Sequence, residues 1–209
     1  MIPQPEQREA LPDHPVPVGL AAPTAWRLRV DGLVAQPLVL SLSEVDALGA
    51  HTHAADFVCD EGWMSSTCEV RGRIVRWQAN ERPVLLRSTL SIPSQIFQVL
   101  LMVPNQQWEG VAVAAILGRA GVQPAARFLK VYAADFTVLV PLEEALRGGA
   151  LLARRLNGMP LTPVHGAPLR LVAPGRACFD SVKWVDRLEV LAEAVPTTGE
   201  TLARTRVQG

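Results

Sequence analysis

Arg170 and Lys183 are the residues whose types and spacing most clearly indicate chemistry. They lie in the segment H-G-A-P-L-R-L-V-A-P-G-R-A-C-F-D-S-V-K-W, residues 165–184, separated by a Pro-Gly turn. Apolar neighbours flank both, and a cation is costly to bury unless an anion meets it. A guanidinium fork and an ammonium, with the Ser181 hydroxyl beside them, suit a phosphate or similar oxyanion. The alternative, left equally open by residue type, is that both stems lie on apolar surface with their charged heads in water.

Cys59 is the second candidate, because it ends a predicted strand at residues 54–59 and precedes D-E-G-W at 60–63. A thiolate becomes a nucleophile or a metal ligand where cations or a metal lower its pKa. His51 and His53 lie on the same segment and are too close to Cys59 to form a convincing catalytic pair. Judged on its own, Cys59 is most simply a buried small hydrophobic residue.

Composition excludes several classes of protein. The chain has 209 residues, enough for one good core, with 20 basic and 20 acidic residues and a formal net charge of zero. No nucleic-acid or anionic-membrane partner driven by bulk charge is expected. Three cysteines without a C-x-x-C pair fit neither a disulfide framework nor a zinc ribbon. With no visible signal peptide and no long apolar stretch, we expect no transmembrane segment and a soluble, cytoplasmic chain, with the periplasm as the alternative.

The elements that must position these residues are short. The apolar pattern predicts strands at residues 26–31, 38–40, 54–59, 128–133, 151–156, 159–164, 169–172 and 182–191. It also predicts helices at residues 41–48, 111–120 and from Pro141 onward. The first helix has capping-box spacing at Ser41 and Glu44, and Asn157 and Gly158 give the strongest hairpin signal. Many short strands with a few short helices predict an α+β fold with mixed or antiparallel sheets.

The chain divides into four predicted parts. Residues 1–24 are rich in proline and form an extended arm, and residues 25–191 form the domain. Residues 64–107 form an Arg-rich insertion, which either packs on the surface or acts as a lid or a partner surface. Residues 192–209 are predicted to be a loose polar tail.

Seven segments together carry a family resemblance. In order they are W-R-L-R-V-D-G-L-V (26–34), P-L-V-L-S-L-S-E-V (37–45), V-C-D-E-G-W (58–63), W-E-G-V-A-V-A-A-I-L (108–117), L-N-G-M-P-L (156–161), H-G-A-P-L-R-L-V-A-P-G (165–175) and S-V-K-W-V-D-R-L-E-V (181–190). The chain resembles the molybdopterin-binding domain of the sulfite oxidase family, including its short bacterial members, over about residues 10–63 and 108–191. The resemblance implies the sulfite-oxidase-like molybdopterin-binding fold.

The resemblance also implies a cofactor and a site. The cofactor is molybdenum–molybdopterin, with the metal held by a pterin dithiolene and one cysteine, which Cys59 matches. The residues that match positions holding the pterin and its phosphate are His165, Arg170, Ser181, Val182 and Lys183. The implied activity is oxygen-atom or electron transfer on a small-molecule substrate. Since no haem-binding segment or dimerisation domain is visible, a separate electron-transfer partner is expected.

Three features depart from the family pattern. Asp60 and Glu61 stand where sulfite-oxidising members place arginines, and their charge would repel sulfite. The interval from Cys59 to Trp108 is longer than in the short bacterial members. Asp180 puts a negative charge beside the expected phosphate.

Two hypotheses stand beside the oxidoreductase. The first is a catalytically degenerate protein of the family fold that acts as a binding or interaction module. The second, a minor one, is a cysteine hydrolase that uses Cys59 with His165.

Overall fold

A computed structural model describes residues 16, 18–19, 24–59, 74–76, 84–86, 101–147, 149–174, 176 and 178–208. Its strands are β1 (Arg27–Gly32), β2 (Leu38–Ser41), β3 (His51–Cys59), β4 (Ile74–Arg76), β5 (Val84–Leu86), β6 (Leu101–Ala112), β7 (Phe128–Ala133), β8 (Phe136–Pro141), β9 (Leu151–Leu156), β10 (Met159–Pro160), β11 (Arg170–Val172) and β12 (Arg187–Leu191). Its helices are α1 (Leu42–Asp46), α2 (Val113–Ala120), α3 (Leu142–Arg147) and α4 (Gly199–Gln208), with 3₁₀ turns at Pro163–His165 and Cys178–Asp180.

The first sheet is mixed, in the order β2-β1-β12-β7-β8. β1 pairs parallel with β12, and the other pairs are antiparallel. Along β1 the side chains of Leu28 and Val30 are fully buried, whereas those of Arg27 and Arg29 are exposed. This alternation is typical of a strand with one face on the core, so the outward face of β1 is polar.

The second sheet is antiparallel, in the order β10-β9-β6-β3, and β11 also pairs with β9. A separate antiparallel pair joins β4 to β5. One continuous hydrophobic core contains Leu28 from the first sheet, Leu152 from the second and Ile116 from α2. The two sheets and α2 therefore bury side chains in the same core.

The predicted α+β fold with mixed and antiparallel sheets is confirmed. The Ser41 capping box is present: Glu44 N–H donates to Ser41 Oγ at 3.3 Å, and Ser41 N–H donates to Glu44 Oε2 at 2.8 Å. The hairpin at Asn157 and Gly158 joins β9 to β10. Helix α2 ends at Gly121 in the left-handed conformation, although it begins at Val113 rather than at residue 111.

Other elements differ from expectation. The loose tail predicted for residues 192–209 is wrong for Gly199–Gln208, which forms α4. This helix begins against β8, where Thr137 N–H donates to Thr198 Oγ1 at 2.9 Å. Strand β8 itself was not predicted. The strand expected at 182–191 begins only at Arg187, and the one expected at 159–164 ends at Pro160.

The proposed division into arm, domain and insertion stays a prediction. Residues 1–15 and most of residues 64–100 lie outside the described residues. Within the insertion the described parts are β4, β5 and the first half of β6. Among the residues that the structure describes, no helix is both long enough and apolar enough to span a membrane.

Candidate functional site

The site is built around a tight turn that follows β10. Thr162 leads into the 3₁₀ turn Pro163–His165, and Gly166 ends that turn with φ 107° and ψ 17°. The Nδ1 atom of His165 lies 3.0 Å from Thr162 Oγ1. Gly166 N–H donates to Pro163 O at 3.1 Å, which closes the turn. The half-buried His165 is thus held by its own turn, with its backbone carbonyl available to a neighbouring strand.

Arg170 is the first residue of β11, and its guanidinium contacts this turn. Its Nη1 atom donates to His165 O at 3.1 Å, and its Cζ lies 5.1 Å from the centroid of the Trp108 ring on β6. Only 4% of Arg170 is exposed. The alternative of a charged head in water is therefore wrong for Arg170. A buried guanidinium stacked on an aromatic face is well placed to bind an anion in a setting where charge interactions are strong.

Ser181, Val182 and Lys183 run alongside β11. Leu171 N–H donates to Val182 O at 2.8 Å, and Ala173 N–H donates to Ser181 Oγ at 3.3 Å. Ser181 and Val182 are 8% and 2% exposed. These bonds tie the segment to the strand that carries Arg170.

Lys183 closes the site on the far side of the same turn. Its ammonium donates to Val164 O and lies 5.8 Å from the centroid of the Trp184 ring. The indole N–H of Trp184 donates to Pro163 O at 2.7 Å. Gly166 packs so closely that a Cβ on it would lie 3.0 Å from Lys183 Cβ. The structure therefore brings His165, Arg170 and Lys183 together at one turn.

Asp180, the unexpected acid of this segment, forms an ion pair. Arg176 Nε donates to Asp180 Oδ2 at 2.9 Å, and the same guanidinium donates to Glu144 Oε2 on α3. Burial raises the pKa of Asp180 above its ordinary value, Arg176 opposes this, and the carboxylates of Glu144 and Glu200 raise it further. The negative charge beside the expected phosphate is thus offset within the protein.

Cys59 is the last residue of β3, where its backbone pairs with Leu101 of β6. The same strand pairs His53 with Trp108, and Cα atoms of β3 lie within 8 Å of the turn Cys178–Asp180. The strand of Cys59 therefore runs beside the segment that leads into Ser181. The structure describes the backbone of Cys59 but not its side chain, and residues 60–63 lie outside the described residues.

Trp108, Arg176 and Glu144 are site residues that the residue types did not reveal. Trp108 opens one of the matched segments, W-E-G-V-A-V-A-A-I-L, and that was the available signal. Glu144 had none, because it comes from a helix 32 residues before Arg176 in the chain. Their positions follow from packing between distant elements.

A second polar cluster lies on the outer face of the first sheet, away from this turn. Arg187 binds both carboxylate oxygens of Asp31, at 3.0 Å and 2.9 Å, and also donates to Glu189. Glu189 accepts a hydrogen bond from the Tyr132 hydroxyl, and the Arg187 guanidinium lies 4.7 Å from the Tyr132 ring centroid. Burial first, and then the bond to Glu189, raise the pKa of Tyr132 to about 12. This cluster ties β1, β12 and β7 together.

The fold, together with the turn that Arg170 and Lys183 contact, is compatible with a protein that binds an anionic cofactor. The family described as oxidoreductase molybdopterin binding domain matches residues 13–198. The chain therefore belongs to this family. This confirms the predicted resemblance and, at the level of the family, the predicted molybdenum–molybdopterin cofactor.

Relatives and a solved structure support the assignment. The uncharacterized oxidoreductase YuiH of Bacillus subtilis (strain 168) is 30% identical over 174 residues, which cover 83% of this chain and 69% of YuiH. The mitochondrial sulfite oxidase of Drosophila melanogaster is 27% identical over 84% of this chain and 29% of its own length. The crystal structure of the sulfane dehydrogenase SoxCD from Paracoccus pantotrophus matches with a TM-score of 0.64 and 26% identity, over 85% of this chain and 41% of that chain. The chain spans less than two thirds of the last two proteins.

Proposed function

We propose that this chain is a molybdenum–molybdopterin-dependent oxidoreductase that transfers an oxygen atom or electrons on a small-molecule substrate. The observation that supports it best is the turn at residues 163–166, where Arg170 and Lys183 converge from two segments of the chain. Family membership supplies the identity of the anion that these cations would meet, the phosphate of the pterin.

The donor set fits this cofactor. A phosphate needs several donors and positive charge, and a guanidinium, an ammonium and a hydroxyl lie on adjacent segments here. Arg170 is 4% exposed and stacked on Trp108, so its charge acts where water screens it little. Gly166 leaves room for Lys183 to approach the turn closely. Arg176 offsets the one carboxylate of this segment that would oppose an anion.

Each residue then has a defined task. Cys59 would bind molybdenum through its thiolate, since soft thiolate ligands suit such a metal and coordination deprotonates the thiol. Arg170, Lys183 and Ser181 would bind the phosphate, and the backbone of Val182 would hold that segment against β11. His165 would contact the pterin from the turn. The bound molybdenum supplies the oxygen-atom or electron chemistry, while the protein supplies position and charge.

The test is cofactor content in protein expressed in a host that makes molybdopterin. We expect wild-type protein to contain molybdenum and pterin in near-equal amounts. Cys59→Ser should lower molybdenum content, because it replaces the soft thiolate that the protein offers the metal with a hydroxyl. Arg170→Gln should lower pterin content on the order of tenfold, because it removes a buried phosphate donor.

Cys68→Ser is the matched control for the thiol, since Cys68 lies outside the seven segments that carry the family resemblance, and it should leave molybdenum content unchanged. Folded wild-type protein that contains neither molybdenum nor pterin would refute the proposal and favour the degenerate binding module. Unchanged molybdenum in Cys59→Ser would refute the role of Cys59 alone.

The remaining parts of the proposal concern the substrate and the electron-transfer partner. We propose that the substrate is a small molecule and that a separate protein exchanges electrons with the site. The acidic pair Asp60 and Glu61, which directly follows Cys59 in the sequence, favours a substrate other than a dianion such as sulfite. Substrate screening of cofactor-loaded protein against neutral, cationic and anionic oxygen-atom acceptors and donors tests this preference.

A further inference from the structure

Asp180 directly precedes the segment proposed to bind the cofactor phosphate. Its side chain is buried, with 6% of the residue exposed, and the next residue, Ser181, accepts a hydrogen bond from Ala173 N–H at 3.3 Å. A carboxylate held this close to a phosphate site repels the ligand, and low polarity around it strengthens that repulsion. The segment therefore carries a charge that opposes its own proposed ligand.

Arg176 is placed to offset the repulsion between the Asp180 carboxylate and the proposed phosphate. Its Nε donates to Asp180 Oδ2 at 2.9 Å, while its Nη1 binds Glu144 on α3. The backbone N–H of Arg176 also donates to Ala173 O at 3.3 Å, which closes the turn after β11. One guanidinium thus neutralises the acid and fixes the turn to a helix from another part of the chain.

The raised pKa of Asp180 supports the same picture. Burial is its largest cause, and the charge and hydrogen bond of Arg176 are what oppose it. A buried carboxyl group is ionised at a cost, and the ion pair with Arg176 is what offsets that cost for Asp180.

We propose that Arg176 is a positioning residue for cofactor binding, which acts through Asp180 by holding its carboxylate in an ion pair and offsetting its charge. The proposal rests on the proposed function, because it assigns Arg176 a role toward the phosphate end of that cofactor. Arg176 itself is not placed against the ligand. Its effect is to let an acidic residue occupy this segment while Ser181 and Lys183 bind an anion.

The test compares three variants with a matched control. Arg176→Gln leaves Asp180 without its ion pair and should lower retained pterin per folded molecule about tenfold, the scale of a like-charge repulsion in a partly buried site. Asp180→Asn should retain at least as much pterin as wild type. The double variant, Arg176→Gln with Asp180→Asn, should recover most of the loss. Arg147→Gln removes an arginine from the exposed ion pair with Glu143 on α3 and should change nothing.

Thermal unfolding of the cofactor-free forms is the second measurement, because pterin content is compared per folded molecule of each variant. If Arg176 acts through charge, the double variant recovers pterin even though its contact with Glu144 is still lost. If Arg176 is only a structural tie, the double variant retains as little pterin as Arg176→Gln, and the inference is overturned. Wild-type loading in Arg176→Gln also overturns it.

These failures differ from failure of the proposed function. Wild-type protein that binds no pterin refutes both statements. Wild-type protein that loads normally, with loss in Arg170→Gln but none in Arg176→Gln, refutes only the role of Arg176.

Discussion

Replacing Gly166 by alanine tests how closely the turn at residues 163–166 packs against Lys183. A Cβ at Gly166 would lie 3.0 Å from Lys183 Cβ and 3.1 Å from Lys183 Cα. Rotation of the lysine side chain cannot relieve a contact with its own Cα, so the backbone must move. The φ of 107° also lies in a region that L-residues rarely adopt. Backbone strain of about 1–3 kcal/mol and overpacking of about 1–3 kcal/mol predict a combined loss of about 2–6 kcal/mol.

The hairpin glycine Gly158 gives a matched control. It has φ 79°, and a Cβ there would meet no atom within 4 Å. Gly158→Ala therefore carries the cost of positive φ without a steric contact, about 1–2 kcal/mol. Urea unfolding of both cofactor-free variants, followed by tryptophan fluorescence, measures the difference. In thermal unfolding each kcal/mol corresponds to roughly 2–4 °C for a chain of this size.

A larger loss in Gly166→Ala than in Gly158→Ala, with an unchanged denaturant slope, is the expected result. If the two variants lose the same free energy of unfolding within about 0.5 kcal/mol, the close approach of Lys183 to the turn is refuted. The arrangement proposed to bind the phosphate would then lack its steric basis.

Two further predictions concern other parts of the fold. Tyr132 is the chain's only tyrosine, so alkaline titration of near-ultraviolet absorbance in cofactor-free protein should show a single transition near its pKa of about 12. The folded pKa of Tyr132 lies above its ordinary value of 10.0. The contribution of the protonated Tyr132 to folding stability is therefore present below pH 10 and is lost as pH rises toward 12. Glu189→Gln should move the transition toward 10, and a wild-type midpoint near 10 would contradict the Tyr132–Glu189 bond. Ser41→Ala removes the N-cap of α1 and should cost about 1 kcal/mol of unfolding free energy. Chemical denaturation checks this, with Thr24→Ala, an exposed site outside any helix, as the control; equal losses would count against the cap.

Local chemistry explains which elements the sequence predicts well. The Ser41 capping box, the glycine stop at Gly121 and the turn at Asn157 and Gly158 each depend on contacts within a few residues. Such contacts depend on residue types that lie close together in the chain, so a single sequence is enough to predict them. Strand β8 was missed because its turn from β7 places Ala134 at φ 53°, a position where glycine or asparagine would have given a signal.

The elements that depend on distant contacts were predicted less well. Helix α4 begins against β8, through a bond between Thr198 and Thr137 that spans 61 residues. The sequence placed Asp180 beside the expected phosphate but gave no sign that Arg176 and Glu144 would offset it, since α3 is far away in the chain. Of the candidate site, the convergence of Arg170 and Lys183 could be anticipated from residue types. Burial of Arg170 on Trp108 could not, because it depends on how β11 pairs and packs in the sheet.

The parallel pairing of β1 with β12 has a consequence for how the protein is made. The β12 strand fills the middle of the first sheet, between β1 and β7, and its Arg187 binds Asp31 across a chain separation of 156 residues. A ribosome that has released β1 must still synthesise almost the whole domain before the neighbour of that strand exists. Loop closure over such a distance is slow and leaves β1 with an unpaired edge in the meantime. The nascent chain therefore exposes this edge until β12 emerges, and the segment 181–183, which contains Lys183, takes its final position only at that late moment.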